Sequence, residues 1–96
     1  MFARVVAVQI QPGRMEEAIE IFRDSISPVA KQQKGSRGGY LLTDVKTCKA
    51  VSIAFWETEA DMAAGESSDY LREQLTKLAS TFAAPPTTEH FEVSDE

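Results

Sequence analysis

The stretch Lys49–Trp56, KAVSIAFW, decides the fold. Its alternation is that of a strand: Val51, Ile53 and Phe55 share one face, and Ala50, Ser52, Ala54 and Trp56 share the other. Both faces are too apolar for a strand with one side in water. Helices of the same chain can cover one side. The other needs a partner, and a second copy of the same sheet is the simplest choice, which predicts a homodimer with sheets packed face to face. The small row carries a second consequence. Ala50, Ser52 and Ala54 leave volume above the sheet, and Trp56 closes the row as a large wall with one indole donor. Small residues beside one large aromatic can line a ligand cavity. The alternative is plain packing, with helix side chains such as Phe22 or Leu75 filling that volume.

Working outward, GYLLTDV at 39–45 reads as the strand before, joined through Lys46-Thr47-Cys48 as an antiparallel hairpin. FARVVAVQIQ at 2–11 is rich in Val and Ile and reads as a central strand, ended by Pro12-Gly13. Between them, Met15, Ile19, Phe22, Ile26 and Val29 form one apolar stripe, predicting a helix over 15–34. Pro28 removes a donor inside it and should kink or break it near Ser27. After Trp56, Thr58 caps a short helix running to Ala64. Ser67 or Ser68 then caps a longer one over 69–82, with Leu71, Leu75, Leu78 and Phe82 as its stripe. TTEHFEVS at 87–94 alternates and reads as the last strand. The order β-α-β-β-α-β is the ferredoxin-like arrangement, an α+β fold with an antiparallel sheet under helices on one face.

Ninety-six residues fit one domain, 1–96, with a core of its own. With 43% apolar and 26% charged residues the chain is neither disordered, collagenous nor a disulfide framework. The net charge is −5, unevenly placed: residues 1–50 carry 8 basic and 5 acidic groups, residues 51–96 carry 2 and 10. The acidic total argues against a nucleic-acid partner. Lys31, Lys34, Arg37, Lys46 and Lys49 make 31–49 locally basic, a solvated surface or a place for a small anion. No run approaches the roughly 20 apolar residues that span a bilayer, and no signal peptide is visible, so the expectation is a cytoplasmic protein without a membrane partner. Cys48 is alone, which leaves no disulfide and no thiol cluster.

Four segments together resemble the antibiotic biosynthesis monooxygenase-like family over about 2–93: VQIQPGRMEE (8–17), KGSRGGYLLTD (34–44), VSIAFWET (51–58) with the acidic helix and serine after it, and EHFEV (89–93). The resemblance implies a dimeric α+β barrel. It implies a monooxygenase that acts on a small aromatic or polyketide-like substrate with molecular oxygen and no cofactor, the protein supplying a closed apolar site and polar groups. On that likeness Trp56 matches the family's tryptophan. Where quinone-forming members place an asparagine, a tyrosine and two histidines, this chain has Ser52, Met62, Gly65 and Tyr70. The haem-degrading branch uses a first-strand asparagine and a helix histidine, and those positions hold Val6 and Leu75. That removes the usual axial ligand. A non-catalytic, small-molecule-binding homodimer on the same scaffold is the alternative.

The candidate catalytic residues are therefore Trp56, Ser52, Tyr70 and His90. Val6, Val8, Phe22, Ala54 and Leu75 are the candidate ligand-binding set. His90 shares a strand face with Thr88 and Glu92, which suits either a base with an orienting carboxylate or a solvated polar row. A lone histidine argues against a protein-bound metal. Tyr70 and Tyr40 can donate a phenol or simply pack. Gln9 and Ser52 can hold a ligand or each other. Gly35, Gly38 and Gly39 around Arg37 read as turn formers, since no dinucleotide or P-loop fingerprint accompanies them.

Overall fold

The computed structural model describes residues 1–65 and 69–96. In chain order these form β1 (Phe2–Gln9), α1 (Met15–Ile21), a π-helical turn (Phe22–Ile26), α2 (Ser27–Ala30), β2 (Ser36–Asp44), β3 (Lys49–Trp56), α3 (Glu59–Gly65), α4 (Asp69–Ala79) and β4 (Thr87–Glu92). The four strands make one antiparallel sheet in the order β2-β3-β1-β4. This is the ferredoxin-like topology that the sequence pattern predicts.

Register fixes what each face does. On β1, Arg4 lies opposite Ala54, Val6 opposite Ser52 and Val8 opposite Ala50. On the other side Arg4 faces His90 and Val6 faces Thr88. Directly opposed residues share a face, so the even-numbered row of β1 and the small row of β3 point together toward the helices. The alternate rows form the second face. There Tyr40, Leu42 and Phe91 are 66%, 51% and 48% exposed, and Val5, Val51, Ile53 and Phe55 are half-buried. Tyr40 meets Phe55 edge-on at 6.5 Å on this face.

The expected break in the first helix takes a defined form. The Ser27 N–H donates to the Phe22 carbonyl five residues back, which makes the turn before Pro28 a π turn. Pro28 then sits in the first turn of α2, where a missing donor is tolerated. The helix stops at Ala30, short of Lys34, because Gln32 and Gln33 donate to carbonyls three residues back (3.1 and 3.2 Å) and tighten the end. Gly35, at φ +79°, carries the chain away.

Other boundaries shift for local reasons. β1 ends two residues early, since Gln11 N–H turns to Thr81 O (2.8 Å) and Ala83 N–H takes Gln9 O (2.7 Å). Those bonds also shorten the second long helix, which ends at Ala79. β2 begins earlier than its hydrophobic run, at Ser36, with a register irregularity before Gly39. The last strand stops at Glu92, ahead of Ser94. Thr58 caps α3 as expected, its hydroxyl oxygen accepting the Asp61 N–H at 3.0 Å. The cap expected at Ser67 or Ser68 lies outside the described residues. The buried cluster of Ile10, Met15, Ala18, Ile26, Leu71 and Leu78 knits the helices to the Ala50 end of the sheet.

Candidate functional site

Small side chains on β3 and a widened helix opposite them leave a cavity of about 710 Å³ between sheet and helices. Its floor is the central pair of strands: Val6 and Val8 from β1, with Ala50, Ser52 and Ala54 from β3. Phe22 and Ile26 of the π turn wall one side, and Leu71 and Leu75 of α4 wall another. The candidate fillers Phe22 and Leu75 thus border the space instead of occupying it. Such a volume falls in the range of roughly 300–1,000 Å³ typical of ligand sites.

Polar groups are sparse and fall into two kinds. Ser52, Thr43, Thr76 and Thr88 bring hydroxyls. Arg4 and Arg72 bring guanidinium groups, Arg4 from the floor and Arg72 from α4. Arg4 carries its charge over the Trp56 ring, 6.0 Å from the centroid, within the reach of a cation–π contact. Trp56, expected as a wall of the cavity, is not among its lining side chains: it is 1% exposed, and its indole Nε1 has no hydrogen-bond partner among the described residues. A Cβ on Gly65 would collide with the Trp56 ring, so this position in α3 requires glycine.

The remaining candidates lie elsewhere. Tyr70, in the first turn of α4, is 45% exposed and does not line the cavity. His90 pairs in register with Arg4 but lines a separate hollow of about 370 Å³ at the sheet edge, with Phe2, Glu59, Met62 and Glu92. Gln9 does not meet Ser52. It lies on the opposite face, and its amide donates to Thr47 O at 2.6 Å and Cys48 O at 3.3 Å to hold the hairpin turn. Cys48 sits in that turn with φ +58°. Arg37 pairs with Glu57 at 3.2 Å on the surface. Asp24, whose carboxyl the Arg23 hydrogen bond (2.9 Å) holds below its usual range, is likewise a surface group remote from the lining. No histidine, cysteine, tyrosine or carboxylate lines the cavity among the described residues, so its donor set does not fit a haem iron.

Fold and cavity together define a class of small α+β domains that enclose an apolar site between one sheet and its helices. The family model for antibiotic biosynthesis monooxygenases matches residues 1–77, and the chain belongs to that family. Among solved structures, a Nitrosomonas europaea protein assigned to these monooxygenases superposes with a TM-score of 0.87 at 16% identity, covering 99% of this chain and 100% of that one. SnoaB from Streptomyces nogalater, a cofactor-independent oxygenase seen as its N63A mutant, gives 0.86 at 16% identity, with 99% and 94% covered. A conserved protein from Methanosarcina mazei gives 0.82 at 15% identity, with 96% and 92% covered. At such identities the likeness speaks for the fold. No curated protein sequence matches the chain.

Arg4 was not among the residues singled out from the sequence. The signal was present: a charged residue on an apolar strand, in phase with Val6 and Val8.

Proposed function

We propose that this chain is a homodimeric, cofactor-independent monooxygenase acting on a small aromatic or polyketide-like substrate held between sheet and helices. The observation that carries the reading is the cavity of about 710 Å³, walled largely by apolar side chains, in a member of this family. A flat apolar substrate would lie on Val6, Val8 and Ala54 beneath Phe22 and Leu75, with the Ser52 hydroxyl as a polar contact. Trp56 lies outside the lining and would act on the site through Arg4, whose guanidinium sits 6.0 Å from its ring centroid. Two copies would pack through the open sheet face, covering Tyr40, Leu42 and Phe91.

One observation favours the second reading, a non-catalytic binding protein. Removing a phenolic proton calls for a base near the substrate, and the described lining holds none. Oxygen uptake separates the two. With a panel of fused-ring phenols, a monooxygenase consumes oxygen in proportion to protein and loses activity in Trp56→Phe. Binding without protein-dependent uptake would leave the non-catalytic reading.

A further inference from the structure

The cavity is long. Arg4, Val6 and Val8 of β1 line it, with Ile10 just beyond the strand. These are successive members of one face, so the floor runs about 20 Å at about 3.3 Å per residue. The helical wall gives the same length independently. Its lining extends from Met15 to Ala30, again about 20 Å at about 1.5 Å per residue. Protein shuts both ends. Ile10 and Met15, 1% and 7% exposed, close one of them. Past Ala54 at the other stands Trp56, in register with Phe2 and 1% exposed. The opening is at the side, where Leu75, Pro86 and Thr88 line the cavity and are exposed.

The polar groups do not converge on one point. Thr43 lies opposite Ala50, whereas Ser52 and Thr88 lie on either side of Val6. Arg72 pairs with Asp69 (3.9 Å) at the surface, and Arg4 is stacked over Trp56. The described residues build no single head-group site, so length is what the walls discriminate.

We infer that the cavity is a length gauge for an extended apolar chain of about ten carbons, laid along β1 between two closed ends. This rests on the cavity reading above and narrows its ligand to a linear one. A carbon wall holds a ligand carbon about 3.5 Å away at each end, which leaves a free length of about 13 Å. An extended chain advances about 1.25 Å per carbon at tetrahedral angles, so about ten carbons fill that length. A strand also twists along its axis. A chain that rotates about each bond follows the twist; a rigid rod of the same length does not.

Displacement of the neutral fluorescent probe N-phenyl-1-naphthylamine by straight-chain 1-alkanols, from hexanol to tetradecanol and each below its solubility limit, tests the gauge. Affinity should rise about fourfold per added CH₂ up to about ten carbons. It should then level off, because further carbons leave through the side opening into water. A rise that continues unbroken to tetradecanol, or an affinity independent of length, overturns the inference. Ala54→Leu fills part of the Arg4 end, where Ala54 lies in register. It should move the break down by about two carbons and leave hexanol within about twofold. A break that stays in place while every length weakens alike also overturns the gauge. The same variant should weaken the probe itself. Should it weaken neither the probe nor the longer alkanols, they bind elsewhere and the cavity reading fails along with this one. Should it weaken them while the parent series shows no break, only the length gauge fails. The parent series decides alone if Ala54→Leu proves unstable.

Discussion

Ala54→Leu is the sharpest probe of whether the space above the sheet is open. Ala54 faces the cavity, flanked across the ladder by Arg4 on one side and by Gly39, which has no side chain, on the other. Leucine adds three carbons. At about 0.8 kcal/mol per buried CH₂, the gain has a ceiling of about 2.4 kcal/mol. Fixing the new rotamer costs about 0.5–1 kcal/mol, which leaves a net stabilisation of about 1–2 kcal/mol where the side chain is dried. A side chain that stays wetted brings the net to about zero. Urea unfolding at one fixed protein concentration reads this directly, because the proposed self-association would also contribute to stability. With a slope of about 1–2 kcal/mol/M, the midpoint should rise by about 0.5–2 M or hold still. Overpacking of a filled core costs about 1–3 kcal/mol. A midpoint that fell on that scale would therefore mean that Phe22 and Leu75 already fill the volume, and the site would be lost as a ligand cavity.

Gly65→Ala should destabilise by about 1–2 kcal/mol in thermal or urea melts: overpacking against Trp56 outweighs the helix propensity that alanine gains. Thr58→Ala removes the acceptor for Asp61 N–H and should cost about 1 kcal/mol, with Thr58→Ser restoring most of it. Leu42→Lys changes a half-exposed position on the open sheet face, so it should leave the monomer folded by circular dichroism while light scattering shows the dimer lost at micromolar concentration. Asp24→Asn should slightly flatten the acid limb of the stability profile. The carboxyl is held low by Arg23, so its small contribution is present at neutral pH and is lost as the pH falls through the folded value.

Strand parity carried most of what the sequence revealed. The bounds of β3 coincide with the quoted stretch because its alternation is unbroken and both ends are marked by turns. The same parity puts Val6, Val8, Ser52 and Ala54 on one face, and the helical stripe brings Phe22 and Leu75 over them. What parity does not fix is how far along a face a cavity extends. His90 has the right phase but lies beyond the cavity, over the Phe2 end of an edge strand. Tyr70 sits one residue from Leu71, and about 100° of helical rotation turns it off the stripe. The strand and helix ends moved where hydrogen bonds between distant segments won over local pattern, as with Gln11 and Thr81. The π turn reflects a conflict inside the sequence itself, an apolar stripe that continues through a proline.

On the proposed function the two faces of one sheet carry separate tasks, and that separation is itself testable. Substitutions in the even row of β1 and β3 change the cavity; substitutions at Leu42 or Ile53 change the open face. Effects at sites without shared partners add, to within about 0.3–0.5 kcal/mol. The cavity lies on the helix-covered face of the sheet, opposite the face that carries Leu42. Leu42→Lys should therefore abolish association and still bind N-phenyl-1-naphthylamine within about twofold of the parent, a shift of about 0.4 kcal/mol. The double variant with Ala54→Leu should then show the binding loss of Ala54→Leu and the assembly loss of Leu42→Lys, each undiminished. A tenfold fall in probe affinity in Leu42→Lys alone, with circular dichroism unchanged, would show that the partner completes the site. The division of labour by strand face would then be wrong at its centre, because assembly would act on the cavity through the sheet that separates them.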